Sequence, residues 1–302
     1  MLFFLFLANT LIRSLLTKGY TQPGRPKTEL NTKRWQSANC TPPKEKNSLS
    51  PATLDNPLAK PVEWTFMKSQ CELILALDLP SREASLELLN QLGPAVQWVK
   101  IGLQLFTRYG PSIVKEIAAL GYSIFLDLKL HDIPNTVASA IKSLEGLPVK
   151  MLTLHASGGA EMLKQAAIAQ KQALPEALLL GVTVLTSLDQ EALKSLGISA
   201  TPEEQVLRLA QLCKNAGVSG LVCSPLETAY LKKTLGDSVT LVTPGIRPEG
   251  SNANEQKRIT TPQQAATSGA SFIVVGRPIT QTEDPEAVAL AIQEDLKAQL
   301  VS

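Results

Sequence analysis

From residue 71 onward the chain alternates short apolar runs with stretches of helical period. The apolar runs are CELILALDL (71–79), VQWVKIG (96–102), YSIFLDLK (122–129), VKMLTLHA (149–156), ALLLGVTVL (177–185), VSGLVCS (218–224), VTLVTPG (239–245) and SFIVVGR (271–277). Each has the length of a strand. The segments between them, such as SREASLELLNQLG and GPSIVKEIAALG, are amphipathic and close on a glycine, Gly93 or Gly121, a common helix stop. Repeated strand–helix units predict a parallel sheet. Eight of them in roughly 230 residues predict a closed (β/α)8 TIM barrel, a single α/β domain over 67–302. A doubly wound open sheet is the alternative, but no G-x-G-x-x-G turn follows the first run.

Side chains alternate along a strand, so residues two apart share a face. On the third run this directs Ile124, Leu126 and Leu128 to the helices and Phe125, Asp127 and Lys129 into the barrel. The first run places Leu73, Leu75, Leu77 and Leu79 outward and Ile74, Ala76 and Asp78 inward. The second ends with Lys100 on the face of Val96 and Trp98. Charge is thus directed inward at the carboxyl ends of three strands, where barrel enzymes place their active sites. An interior charge is costly unless paired. Structural salt bridges capping the barrel are the bland alternative, but packing gives no reason for three strands to put charge at the same end.

Residues 1–66 follow no such pattern. Seven of the 20 prolines fall there, and no apolar period is sustained past about residue 16, so the stretch reads as a low-order extension. Its opening MLFFLFLA is far short of the roughly 20 apolar residues that span a bilayer. Three readings stand: a targeting peptide, since no acidic residue precedes Glu29; a poor membrane anchor; or, the favoured one, a stretch upstream of a true start at Met67. The extension also distorts the charge balance. Nine Lys/Arg against four Asp/Glu give it +5, leaving 67–302 at −3, so the overall +2 is no argument for a nucleic-acid partner. Cys40, Cys71, Cys213 and Cys223 form no C-x-x-C pair, which points to a reducing, cytoplasmic setting and no metal cluster. The only histidines, His131 and His155, fall near the charged strand ends and are left out of catalysis.

The segment DLKLHDIPNT (127–136) resembles the signature of the bacterial-type orotidine 5′-phosphate decarboxylases. The resemblance extends over 71–295 through LALDLPS, WVKIGLQLF, LTLHASGG, GVTVLTSL, LVTPGIRPEG with NEQKR, and VVGRPIT, in that order. It implies decarboxylation of orotidine 5′-monophosphate to uridine 5′-monophosphate without a cofactor. It also implies a catalytic quartet of Lys100, Asp127, Lys129 and Asp132, with Lys129 as the acid that protonates C6. Asp132, Ile133 and Thr136 are expected to enter the neighbouring active site of a homodimer. Asp78 is expected at the ribose, Thr186 at the pyrimidine edge, and Arg247, Gln256, Gly276 and Arg277 at the 5′-phosphate.

Two rivals remain. One is a magnesium-dependent barrel lyase of the same superfamily acting on 3-keto-sugar phosphates. Such enzymes share D-x-K-x-x-D but carry an acidic residue where this chain has Lys100. The other is a nucleotide-phosphate binding protein without turnover, which has no need of the charged quartet.

Overall fold

The computed structural model describes residues 71–236, 239–248 and 260–297. The readings of residues 1–66 and the expected phosphate contact Gln256 lie outside the described residues.

Eight parallel strands close into a barrel in sequence order. They are β1 (Glu72–Ala76), β2 (Trp98–Gly102), β3 (Ser123–Leu130), β4 (Val149–His155), β5 (Leu178–Val182), β6 (Gly220–Val222), β7 (Thr240–Thr243) and β8 (Phe272–Val275). Each falls within or against its apolar run. Most are shorter than the run, because residues beyond the last strand–strand pair turn into the loops.

Local chemistry explains the helices between them. Ser81 caps Arg82–Leu92 by accepting the Ala84 N–H, and Gly93, at φ 46°, ends it. Thr201 and Glu204 form a reciprocal cap on Pro202–Asn215, with proline in the first turn. That helix buries Val206, Leu209, Ala210 and Cys213, the apolar face of its TPEEQVLRLAQLCKNAG pattern.

Two apolar layers result, and they separate by strand parity. Leu73, Leu75, Val99, Ile101, Ile124, Leu126, Leu152 and Leu154 pack outward with the helices. Ile74, Ala76, Phe125, Met151, Leu180, Val242 and Val274 form a distinct cluster, flanked by Trp98 and Phe272, that fills the barrel. Val96, placed by alternation on the Lys100 face, packs with the helix-side cluster, because it precedes β2 and follows the short helix Gly93–Ala95.

The β3–β4 pairing is irregular where the site begins. Leu126 pairs with Leu152 and Leu130 with Leu154, so β3 advances four residues where β4 advances two. The extra length is taken up around Lys129, which has φ 49° and is the one non-glycine residue with positive φ among the described residues.

Candidate active site

Above the apolar filling the barrel interior turns polar. Asp127 lies at the centre, 7% exposed. Lys129 Nζ donates to both of its carboxylate oxygens at 2.7 Å. Lys100, also buried, stands 3.7 Å from Asp127 Oδ2 and donates to Asp78 Oδ1 at 2.8 Å. Asp78 lies just past β1 with its side chain 56% exposed, so this chain of charges runs from the barrel interior to its mouth. Gly102 makes room for it. A Cβ there would stand 3.0 Å from Asp78 Oδ1 and 3.1 Å from Lys100 Nζ.

Asp127 would be costly to bury alone. Burial pushes its pKa upward, but Lys100, Lys129 and the Thr153 hydroxyl outweigh that and hold it below the ordinary aspartate value. Thr153 was not among the expected site residues. It is fully buried on β4, donates to Asp127 Oδ1 at 2.9 Å and accepts the backbone N–H of Lys129 at 2.9 Å. The signal for it was present in the alternation of β4, which puts Met151, Thr153 and His155 on one face.

Two adjoining cavities open over this floor and share Lys100, Pro244 and Val274. The first, about 200 Å³, has Asp127 and Lys129 at its polar end, an apolar wall of Val182, Val184 and Val222, and Thr186 at its rim. Cys223 also lines it, whereas Cys71 and Cys213 are buried small residues whose thiols burial pushes up to about 12, with Glu72 adding to the effect at Cys71. The second, about 560 Å³, is lined by Asp78, Arg247, Gly276 and Arg277. Arg247 is 7% exposed, and its pKa is lowered by burial and by the nearby Arg277. Two guanidinium groups repelling each other across one compartment are suited to an anion carrying two charges. Gly276 keeps the wall thin, since a Cβ there would meet the Ala76 side chain at 3.3 Å.

The structure thus brings together Asp78, Lys100, Asp127, Lys129, Thr186, Arg247, Gly276 and Arg277. Asp132, Ile133 and Thr136 are not joined to them within one chain. All three are exposed between β3 and the first turns of helix Pro134–Lys142, and Ile133 is 67% exposed. Asp132 Oδ1 accepts the Ile133 N–H at 2.7 Å, and none of the three lines either cavity. His131 and His155 stand with ring centroids 5.3 Å apart. Burial, His131 and Lys129 lower the pKa of His155, with Asp127 acting in the opposite direction.

Fold and site define a (β/α)8-barrel enzyme with a charged floor and a cationic compartment beside it. The chain belongs to the orotidine 5′-phosphate decarboxylase / HUMPS family, whose model matches residues 72–292. An orotidine 5′-phosphate decarboxylase of Opitutus terrae is 54% identical over 228 residues, covering 76% of this chain and 99% of the relative. One of Pseudoalteromonas translucida is 48% identical over 237 residues, covering 77% and 99%. The crystal structure of orotidine 5′-phosphate decarboxylase from Lactobacillus acidophilus superimposes with a TM-score of 0.67 at 41% identity, covering 74% of this chain and 98% of that one.

Proposed function

We propose that the chain converts orotidine 5′-monophosphate to uridine 5′-monophosphate and carbon dioxide, with Lys129 as the proton donor. The observation that carries this reading is the Lys129 ammonium, bound to both oxygens of a buried carboxylate at the base of a cavity that adjoins two arginines. The family membership and the names of the relatives support the same reaction.

The C6–carboxylate bond breaks heterolytically, carbon dioxide leaves, and the electron pair stays on C6. The Lys129 ammonium offsets that charge as it develops and then transfers a proton to C6. Solvent reprotonates the amine, so one proton is consumed per turnover. Asp127 keeps the ammonium aimed, and Lys100 balances Asp127 and reaches the ribose hydroxyls together with Asp78. Thr186 meets the pyrimidine edge. Arg247, Gln256, Gly276 and Arg277 take the 5′-phosphate, whose binding energy is spent on holding C6 against the lysine.

Asp132, Ile133 and Thr136 complete the site of a second copy of the chain in a homodimer. Their exposure, including that of the apolar Ile133, and their absence from the lining of the two cavities described above favour this role. No helix among the described residues is long and apolar enough to cross a membrane. We place the enzyme in the cytoplasm, on the reducing setting that the cysteine pattern implies.

Turnover in D2O tests the proton route. The uridine 5′-monophosphate formed is expected to carry one deuterium at C6 and to appear in equal amount with carbon dioxide, without added metal. Release of a pentulose phosphate from a keto-sugar phosphate only when magnesium is added, with orotidine 5′-monophosphate left unchanged, would replace this reading with the sugar-phosphate lyase.

A further inference from the structure

The site depends on a backbone conformation that Lys129 would not adopt by preference. A residue with a Cβ is disfavoured at positive φ, and lysine gains nothing locally from being there. Lys129 nevertheless sits at φ 49° in the middle of the β3–β4 irregularity. That turn takes its N–H out of the regular ladder, and a half-buried N–H still gains from an acceptor. The acceptor is the Thr153 hydroxyl, at 2.9 Å. The same hydroxyl donates to Asp127 Oδ1 at 2.9 Å, and Asp127 holds Lys129 Nζ through both oxygens. A closed ring of hydrogen bonds results, running from the Lys129 backbone through Thr153 and Asp127 to the Lys129 ammonium.

We propose that Thr153 is the positioning residue of the reaction, its one hydroxyl fixing both the left-handed backbone of Lys129 and the plane of the Asp127 carboxylate. Threonine suits the task. Its β-branch restricts χ1, and its hydroxyl supplies one donor and one acceptor, both used here. The side chain is fully buried, which shields its hydroxyl from solvent. Thr153 lines neither cavity, so it acts through Lys129 and Asp127 and touches no substrate.

This inference rests on the decarboxylase reading, and the test separates the two. Wild type, Thr153→Val and Thr153→Ser are assayed with orotidine 5′-monophosphate across pH. Valine keeps the shape and removes the hydroxyl; serine keeps the hydroxyl. Thr153→Val is expected to lose about tenfold or more in kcat, with KM changed by less than about threefold, since the lost interaction serves the proton donor and not phosphate binding. Its acid limb should move to higher pH, because Asp127 loses a hydrogen bond to its charged form. Thr153→Ser should recover most of kcat. Wild-type kcat in Thr153→Val, or equal impairment of the serine and valine variants, would overturn the role. Should Thr153→Val fail to fold, Thr153→Ala takes its place in the comparison with serine.

A crystal structure of the hydroxyl-free variant gives a readout independent of turnover. Lys129 is expected to leave the left-handed region, and its persistence near φ 49° would contradict the proposal. Failure of the wild type to decarboxylate would remove the reaction while leaving this structural outcome to decide the part played by Thr153.

Discussion

The barrel interior contains two layers built from the same strands, and a step of two residues separates them. Along β1 to β4 the lower layer reads Ala76, Trp98, Phe125 and Met151, and the upper one Asp78, Lys100, Asp127 and Thr153. Strand parity sends both layers inward, so the backbone is indifferent to which is polar. The chemistry of each layer decides its work. The lower layer removes apolar surface from water and asks only for volume and shape. The upper layer holds two buried ions, Lys100 and Asp127, that must be paired to be buried at all, and every pairing fixes a side chain in place. One layer therefore stabilises the barrel, and the other converts some of that stability into aim.

Substitutions in the two layers should consequently fail in different ways. The largest effect is expected at the ammonium that the upper layer holds, where Lys129→Ala should reduce kcat by about a thousandfold or more while leaving the fold and nucleotide binding in place. Near-normal turnover would end the assignment. In the lower layer, Phe125→Ala should cost about 3–5 kcal/mol of stability, measured by denaturant unfolding, through lost burial and a residual cavity. A cost near zero would mean that the layers are not divided as described.

Complementation between subunits comes next. In the homodimer proposed above, Lys129→Ala and Asp132→Asn chains, each inactive alone, should recover about a quarter of wild-type activity when mixed, because half of randomly formed dimers are hybrids with one intact site. No recovery after verified subunit exchange would place Asp132 in its own chain's site.

A smaller effect concerns pH. Asp127 has a folded pKa below its ordinary value, so its stabilising contribution is full above the unfolded aspartate pKa of about 3.9 and is lost as pH falls through the folded value. The stability gap between wild type and Asp127→Asn should therefore narrow as the pH drops below about 4. A gap that widens would reverse the sign. The smallest effect belongs to the surface, where Lys150→Ala, removing the exposed pair with Glu176, should leave the unfolding midpoint and kcat/KM unchanged.

The two layers were legible in the sequence to different degrees. All eight strands follow from the spacing of the apolar runs, and the inward direction of Phe125, Asp127 and Lys100 follows from parity, because burial on both faces fixes register strongly. Parity failed at Val96, where the strand had not yet begun. At Lys129 it gave the direction but not the conformation. The left-handed turn arises from the mismatch between β3 and β4, a tertiary relation that no local window contains. The role of Thr153 is hidden in the sequence for a related reason. Threonine on a strand needs no special explanation until the carboxylate and the displaced N–H that it serves are seen beside it. The mutual repulsion of Arg247 and Arg277 likewise depends on a loop and the start of helix Arg277–Thr280, which meet only in the folded barrel.

The most direct test follows the ultraviolet absorbance of orotidine 5′-monophosphate with the purified protein and with Lys129→Ala, each also titrated with uridine 5′-monophosphate to confirm an intact site. The absorbance change of decarboxylation is expected with wild type and none above background with the variant, both binding the product. Loss of the signal in wild type, or its survival in Lys129→Ala, would contradict the claim that this lysine, held by Asp127, performs the reaction.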